Sequence, residues 1–244
     1  MINIAQLETW PKEISQFLDE RFHSFIGWEC EGDYLSSPPE YDKLVSEFGK
    51  ILKQYSLRGF HCTRLTEEEI FFIRKHGLTL QNLNTLCKRI DKLVVSNQMS
   101  KQIADCLMDN NQSGAINRAN KLWFCFFPPH VAGQHGIERF FRHWGGEALY
   151  NSHENNPVTG EWLQKIGTPC VIEALVPLKS MPDIRLPYGQ FIRSYLKDKG
   201  YFIEKGIEFE GYIIEPLNPI NIIDIHQFPC NSFIDLTGCA HWDL

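Results

Sequence analysis

The chain has 244 residues, 43% of them hydrophobic and 13% aromatic, with a formal charge of −6. That composition is globular and long enough for one large core or two small ones, and its negative balance argues against a bulk electrostatic nucleic-acid binder while leaving room for a local basic groove. No apolar run reaches membrane-spanning length, so no membrane partner is expected.

Residues 1–56 read mainly as helices, in "IAQLETWPKEISQFLDERFHSFIG" and in "PPEYDKLVSEFGKILKQY", where Pro38 and Pro39 open the second segment. We take them as an N-terminal helical segment ahead of a domain over 57–244. The stretch "LRGFHCTRLTEEEIFFIRKHGL" begins with a short strand end and continues as a helix. Thr66 and Glu69 form a capping-box pattern, Glu67, Glu68 and Glu69 sit at the positive end of the helix dipole, and Gly77 supplies a stop. His61, Cys62, Thr63 and Arg64 are thereby expected in a strand-to-helix connection, where functional groups accumulate. Further helices are expected in "LQNLNTLCKRIDKLVVS" and "SKQIADCLMD".

From residue 120 the texture changes. "KLWFCFF" reads as a buried strand stopped by Pro128 and Pro129, "GIERFFRHW" has helical spacing, and "TPCVIEALVPL" is a strand. "YGQFIRSYLKDKG" is a helix, and "FEGYIIEP" and "INIIDIH" are two strands joined by "PLNP". Helices lead and strands dominate the second half, which gives the α+β class. The eight cysteines form no C-x-x-C pair and no secretory signal is read, so they are expected to be reduced thiols in a cytoplasmic protein with no metal site.

Three pieces stand in one order: "FHCTRL…FFIRKHGL", then Leu122-Trp123-Phe124, then "EGYIIEPLNPINIIDI" with Glu210 at its head. This resembles the ADP-ribosyltransferase family of the diphtheria-toxin and poly(ADP-ribose) polymerase branch, over about residues 58 to 226, with "CVIEALVPL" as its intervening strand. Cys62 stands where that family has glycine, and Trp123 where tyrosine is usual. The resemblance implies a split, mostly antiparallel core of two small packed sheets, preceded by helices. It also implies that NAD is a substrate, cleaved at the nicotinamide–ribose bond by a mono-ADP-ribosyltransferase.

In that reading the catalytic pair is Glu210 and His61. Glu210 stabilises the oxocarbenium-like ribose, and His61 hydrogen-bonds a ribose. The backbone beside Cys62 holds the carboxamide, Thr63 supports the strand or a hydroxyl, and Arg64 pairs with the pyrophosphate. Trp123 offers a face to the nicotinamide, with Phe124 beside it, and Glu208 shares the work of Glu210. His61, Trp123 and Glu210 are expected to converge on one cleft. On the residues alone Glu208 and Glu210 read as surface carboxylates, while Trp123 could equally be core and Arg64 a solvated residue.

The implied acceptor is a macromolecule, protein or nucleic acid, and relatives of this kind include toxins and antiviral effectors, which brings an antitoxin or regulator in as partner. Arg118, Lys121, Arg139, Arg142 and His143 are the only hint of a basic acceptor surface, and the alternative is that they serve the two phosphates of NAD itself. The alternative is a non-catalytic module of the same fold that binds NAD, ADP-ribose or a protein. A Ser–His–Asp or Cys–His hydrolase is set aside because Cys62 directly follows His61 and strand neighbours point to opposite faces, and no G-x-S-x-G, P-loop or G-x-G-x-x-G is present.

Overall fold

A computed structural model describes residues 1–132 and 134–239. In chain order the elements are α1 (Lys12–Arg21), α2 (Pro38–Leu52), β1 (Ser56–Leu65), α3 (Glu67–His76), α4 (Leu83–Val95), α5 (Lys101–Asp109) and β2 (Leu122–Cys125). They continue as α6 (Gln134–Arg142), α7 (Glu147–His153), α8 (Thr159–Lys165), β3 (Thr168–Pro177), α9 (Tyr188–Asp198), β4 (Glu210–Ile213), β5 (Ile222–Gln227) and α10 (Asn231–Thr237). The class is α+β. The strands form one antiparallel five-stranded sheet of order β4-β2-β1-β3-β5, in place of the two small packed sheets expected. Its inner strands β1 and β3 are ten residues each, long enough to carry neighbours along both edges. β3 is buried on both faces along most of its length, as a central strand must be.

Two compact units divide the chain. The first comprises Met1–Gly59, Cys125–Phe127 and Leu175–Ile213. Its N-terminal helices are amphipathic: α1 buries Ile14, Phe17 and Leu18 at helical spacing, and α2 buries Phe48 and Leu52. Phe17 stacks on Phe48 at 5.1 Å, and Phe48 meets Phe191 of α9 edge-on at 6.1 Å. Within this aromatic core Glu29 is buried, held by the Tyr41 hydroxyl at 2.5 Å and Arg193 Nη1 at 2.6 Å. A buried carboxylate requires such partners.

The second unit comprises Phe60–Phe124, Pro128–Ala174 and Ile214–Leu244. One of its cores joins Leu86, Ile90 and Leu93 of α4 to Ile103, Ala104 and Leu107 of α5, around Trp144, Leu149, Leu163 and Ile166. A second joins Phe60, Phe141, Val171 and Phe233. α3 begins as the sequence predicts: the Thr66 hydroxyl accepts from Glu69 N at 3.2 Å, and the Glu69 carboxylate accepts from Thr66 N at 2.9 Å. It ends at Gly77, whose φ of +80° is open only to glycine at low cost. There the chain forms an isolated antiparallel bridge, Leu78 N to Leu217 O and Leu217 N to Leu78 O, each 2.9 Å.

Two boundaries differ from expectation. β1 runs to Leu65, so His61 to Arg64 lie inside the strand rather than in a connection after it. Its own sequence carries a weak strand signal there, and pairing with β2 and β3 supplies the rest. β4 starts only at Glu210, which leaves Glu208 in the irregular stretch before it.

Candidate active site residues

Alternation along β1 sorts the four expected residues into two pairs. Phe60, Cys62 and Arg64 share one face. Cys62 packs against the core of Phe60, Phe141, Val171 and Phe233. Arg64 is buried and its guanidinium closes loops, Nε donating to the Ile166 carbonyl at 2.7 Å and Nη1 to that of Phe141 at 2.9 Å. Burial pushes its pKa down. Arg64 therefore holds the ends of α6 and α8 against β1.

His61 and Thr63 occupy the opposite face, both half-buried. His61 Nδ1 lies 2.8 Å from the Trp123 carbonyl oxygen, so Nδ1–H donates and the neutral ring presents Nε2 as an acceptor. Burial lowers the pKa of His61, the bond to Trp123 works against that, and the positive charge of Arg89 adds to the lowering. The net direction is down, and a neutral imidazole is the form at pH 7. The His61 ring meets that of Phe124, 5.8 Å between centroids at 57°, and Phe124 is buried. Trp123 alternates to the other side of β2 and is 36% exposed. Its carbonyl meets His61.

In the first unit, Glu210 is exposed at the head of β4, and the Cys125 thiol donates weakly toward its Oε1 at 3.9 Å. The entry to that strand is held by Phe126 N on the Phe209 carbonyl at 3.0 Å and by stacking of the two rings at 5.3 Å. Glu208 is exposed. The structure thus brings His61 together with Trp123 and Phe124, and Glu210 together with Cys125.

The basic residues that hinted at an acceptor surface are engaged internally. Arg118 Nε donates to Glu147 at 3.0 Å, Lys121 to the Ile116 carbonyl at 2.6 Å, and Arg139 Nε to Glu154 at 2.9 Å. Arg142 pairs with Glu138 one turn away. Among the described residues no group of three or more His, Cys, Asp or Glu is placed to hold a metal ion, and no helix is long and apolar enough to cross a membrane.

Two clusters escape the sequence reading. The Glu69 carboxylate, besides capping α3, accepts from Arg89 Nε at 2.6 Å and from Trp144 Nε1 at 3.0 Å, with the guanidinium 4.5 Å above the Trp144 ring. Burial pushes the Glu69 carboxyl up, but Arg89 and the hydrogen bonds outweigh it, and the net direction is down. The capping pattern signalled only the local half of this. The other cluster joins His226 to Glu173, 53 residues apart in the chain, and carries no sequence signal.

Compared with known proteins, the chain matches no family model, no curated protein and no solved structure.

Proposed function

We propose that the protein is a mono-ADP-ribosyltransferase that cleaves NAD at the nicotinamide–ribose bond and passes ADP-ribose to a macromolecular acceptor. The observation that carries this reading is the run of adjacent strands β4, β2 and β1, with Glu210 heading the first, Trp123 and Phe124 in the second and His61 in the third. These are the residues that the sequence resemblance singles out, in strands that the sheet order makes neighbours.

The proposed chemistry follows from the groups. A neutral His61 accepts a hydrogen bond from a ribose hydroxyl through Nε2. Glu210 supplies the negative charge that an oxocarbenium-like ribose requires as neutral nicotinamide departs, and orients the attacking acceptor. Trp123, the exposed aromatic of β2, offers a surface to the nicotinamide ring. Arg64 is excluded from the pyrophosphate because its guanidinium is buried among carbonyls.

The test is nicotinamide release from NAD by the wild type and by Glu210→Gln, which keeps size and removes charge. We expect turnover to fall by about 100-fold or more with little change in NAD affinity. Binding without release by the wild type would favour the non-catalytic module, and neither binding nor release would refute the reading. Labelled NAD offered to cell extract, with the product then treated by nuclease or by protease, identifies the acceptor class.

A further inference from the structure

The second cluster lies wholly in the second unit and plays no part in the chemistry above. β3 and β5 pair antiparallel with Val171 opposite His226 and Glu173 opposite Asp224. Glu173 is then the diagonal neighbour of His226, within reach of a long side chain. Nε2–H of His226 donates to Glu173 Oε2 at 3.0 Å, and on the far side of the ring Nδ1 accepts from the Ser232 hydroxyl at 2.9 Å. The Cys230 thiol lies 3.2 Å from the same oxygen and donates to it.

The side chains of Glu173 and His226 are 8% and 10% exposed, and Ser232 is exposed. A buried carboxylate orients a shielded imidazole whose other nitrogen meets an exposed hydroxyl. A base oriented by a third group and bonded to an accessible nucleophile is the arrangement that nucleophilic catalysis requires.

The geometry points to Ser232 as an activated nucleophile toward carboxylic esters and thioesters, with His226 as its general base and Glu173 as the positioning residue. As the Ser232 oxygen bonds to the acyl carbon, its proton passes to His226 Nδ1, and the imidazolium is held by Glu173. The acyl–oxygen or acyl–sulfur bond then breaks, and the leaving alcohol or thiol takes the proton from Nδ1. Water, deprotonated by the same nitrogen, releases the acid and restores the serine. No NAD takes part, so this inference and the ribosyl-transfer reading stand or fall separately.

The probe is a fluorophosphonate ester, which forms an oxygen–phosphorus bond with an activated serine as fluoride leaves. Mass spectrometry of the native full chain should place one adduct on Ser232, absent in Ser232→Ala and absent from urea-unfolded wild type. His226→Gln should label about 100-fold more slowly or worse. Glu173→Gln should displace the midpoint of the rate–pH profile, which a purely structural role would leave in place. Other charged or titratable groups near the ring include Asp224, with Oδ2 3.9 Å from Nδ1 and itself paired with Arg74, and Cys230 through Ser232. No adduct on the folded protein, an adduct on Cys230 or on other serines, or equal labelling of folded and unfolded chains would overturn the inference. The last comparison stands even where His226→Gln does not fold.

Discussion

Glu69→Ala is the substitution on which the β1–α3 corner depends most. The carboxylate satisfies Thr66 N, Trp144 Nε1 and Arg89 Nε together, and only 18% of its side chain and 22% of that of Arg89 are exposed. Removing it leaves a largely buried guanidinium with no anion, when its Nη2 already lacks a partner, and strands two further N–H donors. Breaking a buried pair on one side costs about 3–5 kcal/mol. For a chain of this size that is a fall in unfolding temperature of roughly 6–20 °C. Urea unfolding followed by circular dichroism measures it, and adding Arg89→Met should recover at least about 1 kcal/mol, because the uncompensated cation is then gone. The folded pKa of Glu69 lies below its ordinary 4.5, so the stabilisation is complete above pH 4.5 and disappears as pH falls through the lower folded value. Glu69→Ala should therefore show a flatter loss of stability in that acid range. A cost under about 1 kcal/mol, the figure for an exposed pair, would refute the reasoning.

Gly77→Ala should lower the urea midpoint by at least about 1 kcal/mol of stability, since φ there is +80° and a Cβ would overlap the Leu217 carbonyl oxygen; an unchanged midpoint would show that the bridge yields freely. His61 has a folded pKa below its ordinary 6.5, so it adds stability above pH 6.5 that declines as pH falls toward the folded value; His61→Gln should remove that slope, and an identical profile in the variant would refute the assigned direction. Arg139→Glu with Arg142→Glu places like charges against Glu154 and Glu138, so thermal unfolding should shift downward for both, and selective loss of acceptor modification at full stability would instead make them an acceptor surface.

Local signals in this chain were legible and tertiary ones were not. The cap of α3 and the two prolines opening α2 each follow from a few adjacent residues. β1 was underestimated because "FHCTRL" mixes polar and apolar residues, and its strand conformation depends on neighbours more than 50 residues away. Arg64 shows the same limit. A cation before a helix reads as solvated or phosphate-binding until the carbonyls of Phe141 and Ile166 are seen around it. The bonds from Glu69 to Arg89 and Trp144, and from His226 to Glu173, join segments whose proximity no periodicity encodes.

The order of strands in the sheet is also an order in time. β1 lies at the centre, β2 and β3 flank it, and β4 and β5 form the outer edges, so the sheet can grow outward in the sequence in which a ribosome delivers it. At about 5–20 residues per second, roughly 7–30 s separate emergence of β1 from emergence of Glu210. Throughout that interval the nascent chain holds His61, and for the later part of it Trp123, but lacks the carboxylate, and it lacks His226 and Ser232 as well. Under both proposed chemistries a chain broken off before β4 is inert. On the proposed ribosyl transfer, NAD is consumed only after β4 has emerged.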